Sequence, residues 1–148
     1  MGWSFLSIDE LPEPGDLLWC KWPQREALGV PGPVARPVLV RDAAILEDTV
    51  TGRQYGALTV SYGTGTIEPQ HIGFDLIIGP HTRAIELGLH KMTRFALDLR
   101  NRKTLIWCSE YFVPNDYLSV RSIHIGKLGD MEVDQLRRCL RARGMLKD

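Results

Sequence analysis

Arg36 is the residue whose neighbours best equip it to act on a ligand. Gly29, Pro31, Gly32 and Pro33 crowd the segment before it, and Pro37, Val38, Leu39 and Val40 follow. Proline and glycine at that density exclude helix and strand from the loop, whereas Val38 to Val40 read as a strand with Pro37 at its start. A guanidinium fixed at a loop-to-strand junction presents a planar fork that matches two phosphate oxygens. The competing reading pairs Arg36 with a carboxylate such as Asp16 at the rim of the fold. Four aromatic residues, Trp19, Trp22, Tyr62 and Trp107, have the bulk and flat faces to stack unpaired bases. The plainer alternative places them in the core of a small barrel or on a dimer face.

The elements that must hold these groups are mostly strands. Gly15-Asp16 is a turn signal, and Leu17, Leu18, Trp19, Cys20 and Trp22 form an apolar run that Pro23 ends. After Val40 the run through Ala43 to Leu46 leads to a hairpin turn near Thr51 to Arg53. Tyr55 to Tyr62 returns, with Tyr55, Ala57, Thr59 and Ser61 on one face and Leu58, Val60 and Tyr62 on the other. It runs out in Gly63-Thr64-Gly65-Thr66, a loop carrying hydroxyls. Phe74 to Ile78 is a short strand closed by Gly79-Pro80, and Arg83 to Leu89 is a short helix stopping at Gly88. Thr93 to Leu99 alternates as a half-buried strand, Asn101 to Lys103 turns, and Thr104 to Phe112 pairs back as a buried run. Leu118 to Ile125 is the last strand.

The chain closes on a helix. Asp130 is the expected N-cap, Glu132 and Asp134 lie in the first turn, Arg141 and Arg143 in the last, and Gly144 is the C′ residue. Val133, Leu136 and Leu140 form its apolar stripe. The expected fold class is mainly β: a small, strongly bent barrel of five to seven strands, one domain over 1–148 with 1–14 as a lead-in and 130–143 as the terminal helix.

At 148 residues, 44% hydrophobic and 24% charged, the chain has the size and balance of one globular domain. Its longest apolar runs are too short for a membrane span, and the first residues lack the basic flank of a secretory signal, so a cytoplasmic protein with no membrane partner is expected. Cys20, Cys108 and Cys139 are odd in number and far apart, which points to reduced thiols. His71, His81, His90 and His124 show no metal-ligand spacing, so neither metal nor other cofactor is expected. The net charge is zero but uneven: through Asp75 there are ten acids against five Lys/Arg, and from Leu76 onward eight against thirteen. A basic second half is compatible with a nucleic-acid or acidic partner.

The order of these pieces resembles the MazF/PemK family of bacterial toxins, in a divergent PemK-like branch. The residues that carry the resemblance are Gly15-Asp16 with its strand, the glycine-bearing loop, Arg36-Pro37-Val38-Leu39-Val40, the Leu58 to Gly65 strand and loop, Leu87-Gly88-Leu89 followed by Thr93-Arg94-Phe95, Trp107 to Phe112, and Ile125-Gly126-Lys127-Leu128 before the last helix. The resemblance implies an SH3-like barrel, usually a homodimer, that cleaves single-stranded RNA without metal and is held inactive by an antitoxin protein. Such cleavage requires a base for the 2′-hydroxyl proton and fixed positive charge beside the phosphorane. Arg36 takes the phosphate role, and Thr64 and Thr66 stand where the family places a hydroxyl residue, in reach of phosphate or simply as turn residues. Family members carry an arginine and an acid near the strand that corresponds to Thr104 to Phe112. Here Glu110 supplies the acid one place along, although a one-residue slip turns a side chain to the opposite face. His71 and Arg94 are the alternates for proton transfer and phosphate contact, and Trp22 is a candidate for RNA stacking. The expected catalytic set is thus Arg36, Thr64 and Glu110, and the RNA-binding set Arg94, Thr66, His71 and Trp22.

Two readings from other classes stand beside the ribonuclease. One is a barrel of the same fold that has lost catalysis and binds nucleic acid or a partner protein. The other is an interaction domain whose loop at Pro23 to Ala35 grips a peptide. A proton acceptor beside Arg36 separates the enzyme from the first of these.

Overall fold

A computed structural model of the chain describes residues 8–23, 31–107, 110–113 and 123–146. Seven strands form one curled antiparallel sheet: β1 (Asp16–Cys20), β2 (Arg36–Glu47), β3 (Gln54–Thr64), β4 (Leu76–Ile78), β5 (Thr93–Phe95), β6 (Arg102–Ile106) and β7 (His124–Lys127). Helix α1 (His81–Glu86) follows β4, and α2 (Asp130–Ala142) follows β7. The path across the sheet is β4, β5, β3, β2, β1, β7, with β6 also pairing to β3. The mainly β, half-barrel architecture with a C-terminal helix matches the expected fold class. Among the described residues no helix is long and apolar enough to cross a membrane.

β3 organises the curl because one edge serves two partners. Ala57 to Ser61 pair with β6, and Gly63 and Thr64 pair with β5. The switch needs Gly63, since a Cβ there would run into the Pro37 carbonyl and the Phe95 ring. Both faces of the sheet are covered, so β1 is buried along its whole length. Leu18, Cys20, Val38, Val40, Leu58 and Val60 point into one core with Trp107 and Phe112. Leu17, Leu39, Leu76, Ile78 and Phe95 point into the other, which is closed by Ala84 of α1 and Cys139 of α2.

The boundaries differ from the sequence reading where a side chain or another strand claims the backbone. The Thr93 to Leu99 strand stops at Phe95, because the Leu97 amide donates to the Asp75 carboxylate (3.0 Å) instead of to a strand. The expected turn at Asn101 to Lys103 lies at Leu99–Asn101, and Arg102 and Lys103 already belong to β6. β6 pairs with β3 rather than folding back on β5. Helix α2 is capped by Gly129 rather than Asp130: the Gly129 amide donates to Glu132 Oε1 (3.0 Å). β1 ends at Cys20, two residues before Trp22. The expected strand from Leu118 falls largely outside the described residues, and β7 begins at His124.

Ion pairs fasten the two helices to each other and α2 to the segment before β4. Arg83 of α1 donates to both carboxylate oxygens of Glu132 at the start of α2 (2.7 and 3.0 Å) and to Glu86 (3.0 Å). Those hydrogen bonds, the pair donated to Glu132 foremost, raise the guanidinium pKa above its ordinary value, and the same contact holds the Glu132 carboxyl below the usual range. At the other end of α2, Arg143 donates to Asp75 (2.6 Å) and to the Phe74 carbonyl (2.6 Å).

Candidate nucleic-acid interface

The site grows from the end of β1. Cys20 pairs with Arg36 across the β1–β2 ladder, and the Trp22 amide turns back onto the Cys20 carbonyl (3.0 Å). Gly32 donates to the Lys21 carbonyl (3.1 Å), which closes the base of the long loop and sets Pro33 and Val34 beside the strand end. Side chains two apart on a strand share a face. Arg36 therefore lies on the side of Val38, which pairs with Tyr62, and Lys103 lies on the side of Val60, its partner on β3.

These registers gather Trp22, Pro33, Val34, Arg36, Tyr62 and Asn101 around a cleft of about 200 Å³. The Trp22 and Tyr62 rings are 5.2 Å apart at 56°, a tilted contact that fixes both planes. Lys103 Nζ sits 5.8 Å from the Trp22 ring centre, within cation–π range. Arg36 is exposed and makes no ion pair among the described residues. Asp16 is not its partner. That carboxylate sits at the opposite end of β1, 3.4 Å from His124 and 3.9 Å from Lys127, and accepts from the Glu13 amide (2.9 Å). A cleft with two half-buried aromatic rings, two cations and no acid among its described lining residues is suited to an unpaired base and its phosphate.

No family model matches this chain, and no curated protein does.

The remaining sequence candidates divide into two groups. Thr64 follows Tyr62 by two residues on the same side of β3, but its Oγ1 accepts from the Thr66 amide (3.2 Å) in a local turn. Thr66 is exposed, and its carbonyl accepts from Arg94 Nε (2.8 Å). Arg94 also donates to Asp75 (2.6 Å) and its side chain is only 13% exposed, so it fastens β5 rather than reaching outward. His71 uses Nδ1 to accept from the Glu68 amide (3.0 Å), which caps the short turn after β3. Glu110 is half-buried at the turn whose next residue, Tyr111, accepts from the Lys21 amide (2.7 Å). That bond brings the Glu110 turn to the end of β1, which leads to Trp22 and pairs with Arg36. Cys108 and Ser109 lie outside the described residues.

Asp75 is the group the sequence reading missed. It is 2% exposed and accepts from Arg94, Arg143 and the Leu97 amide. Burial alone pushes its carboxyl up, but the Leu97 amide and the two guanidiniums outweigh burial and hold it below the usual aspartate range. Nothing local marks Asp75, since its partners are nineteen or more residues away. Lys103 and Asn101 were missed for a different reason: assigned to a turn, they had no face. Trp19 and Trp107 are core residues, 4% and 5% exposed.

Proposed function

We propose that this chain is a toxin-type ribonuclease barrel that grips single-stranded RNA at the Trp22–Arg36 cleft. The observation that carries the proposal is the Trp22–Tyr62 ring pair beside an exposed Arg36 that makes no ion pair among the described residues, with Lys103 Nζ 5.8 Å from the tryptophan ring. One base enters against the rings, and Arg36 takes the adjoining phosphate. Glu110 accepts the 2′-hydroxyl proton, the 2′-oxygen attacks phosphorus, and Arg36 balances the charge that develops on the phosphorane; the P–O5′ bond then breaks to leave a 2′,3′-cyclic phosphate, and the departing 5′-oxygen takes a proton from water. Thr64 lies one step along β3 and contributes to the track of the strand. As the MazF/PemK resemblance implies, the cytoplasmic chain acts as a homodimer and is silenced by an antitoxin protein.

One observation favours a second reading, a barrel that binds RNA without cutting it. None of the described residues lining the cleft is a carboxylate or an imidazole. Induced expression in a bacterial host separates the two. Growth arrest that is relieved by Arg36→Ala and by Glu110→Gln at equal protein level supports the enzyme. Undisturbed growth with retained RNA affinity supports the binder, and failure to bind single-stranded RNA rejects both.

A further inference from the structure

A second cleft, of about 560 Å³, opens on the other side of the Leu99–Arg102 turn and is lined by Arg41, Asp42, Thr59, Leu99, Arg102 and Thr104. Its construction begins with a bulge. The β2–β3 register shifts between Val40 and Asp42, which re-aims the Arg41 side chain. Arg41 Nη1 donates to Ser61 Oγ (3.2 Å), and Ser61 faces Arg102 across the β3–β6 ladder. The bulge thus stands two guanidiniums on either side of one buried serine.

Neither arginine has an acidic partner among the described residues. Asp42 lines the same cleft, but its carboxylate accepts from the Ala43 amide (2.9 Å), and no ion pair joins it to Arg41 or Arg102. Burial and the nearby Arg102 charge both push the Arg41 guanidinium pKa down from its ordinary value, and two guanidiniums against one carboxylate leave the lining net positive. Thr59 and Thr104 face each other in register, their hydroxyls 3.0 Å apart, and supply polar contacts at the floor. Forked donors plus hydroxyls are the complement of a phosphate group.

We propose that the Arg41–Arg102 cleft is a phosphate subsite that holds the backbone of the same RNA strand a few nucleotides from the base seated at Trp22. The inference rests on the RNA-binding reading above. The two clefts share the Leu99–Arg102 turn as a wall: Asn101 lines one, and Leu99 and Arg102 line the other. A strand leaving the aromatic cleft crosses that turn to reach the arginines. The protein then reads a base on one side of the turn and only charge on the other.

The test compares 2′-O-methyl trinucleotide and decanucleotide binding by fluorescence anisotropy, because these strands lack the hydroxyl that cleavage consumes. Arg41→Gln with Arg102→Gln is expected to weaken the decanucleotide roughly tenfold, leave the trinucleotide unchanged, and reduce the salt slope by about 0.7, the value for one phosphate contact on a single strand. Arg102→Glu alone, at a half-buried strand end, serves if the double variant is unfolded. An equal loss for both lengths, or none for either, overturns the subsite. If the wild type binds neither strand, the RNA reading fails, and pyrophosphate titration followed by NMR decides the cleft alone. Saturable shifts at Arg41 and Arg102 that vanish in Arg102→Gln keep a phosphate site, and their absence removes it.

Discussion

Replacing Asp75 tests whether one buried carboxylate holds the two halves of this fold together. Its side chain is 2% exposed, and its partners Arg94 and Arg143 are 13% and 23% exposed. Each charge-assisted hydrogen bond contributes about 1.5–3 kcal/mol and the Leu97 amide about 1 kcal/mol. The sum overstates the loss, because Arg94 keeps the Thr66 carbonyl and Arg143 keeps the Phe74 carbonyl. Asp75→Asn retains the shape and an acceptor for Leu97 and is expected to cost about 2–3 kcal/mol at neutral pH, whereas Asp75→Ala also orphans that amide and costs about 3–5 kcal/mol. Because the folded-state pKa is depressed, this stability is fully present above the unfolded aspartate value of about 3.9. It is lost as the pH falls below that value and through the lower folded one. Urea unfolding of the wild type and Asp75→Asn at neutral pH and in acid should therefore converge as the pH drops. A difference below about 0.5 kcal/mol at neutral pH, or one that does not shrink in acid, refutes the clamp.

Two further outcomes are expected. Gly88 has φ +92°, and a Cβ there would strike the Ile125 carbonyl, so Gly88→Ala should destabilise by about 2 kcal/mol in urea melts and loosen the α1 loop from β7. Trp22→Ala should weaken single-stranded RNA binding by about 1–3 kcal/mol and lower the melting temperature modestly, since the half-buried ring packs against the first core while one part faces the cleft; a fall in stability with unaltered affinity would return Trp22 to the core alone.

The interface asks more of the tertiary fold than of any motif. Arg36 is legible from its flanking prolines and glycines, but its usefulness depends on which residues stand opposite. That was decided by the pairing of β1 with β2, which sends Asp16 to the far end, and of β6 with β3, which brings Lys103 over Trp22. Arg94 illustrates the reverse. Its place on the polar face of a strand suggested an outward cation, yet a buried carboxylate nineteen residues earlier binds it.

By itself the sequence determined the fold class, the long β2–β3 hairpin, a short helix before Gly88, although it spans His81–Glu86 rather than Arg83 to Leu89, and the terminal helix with Gly144 beyond it. Each of these follows from local rules: period-2 alternation, glycine at positive φ, and charge against a helix dipole. Only the tertiary structure decided that β6 joins β3, that Asp75 gathers two arginines, and that Arg41 and Arg102 share a cleft. The physical reason is that β3 must cover both of its edges while the sheet buries both faces. The free energy of that burial is a property of segments far apart in the chain, which no local spacing records.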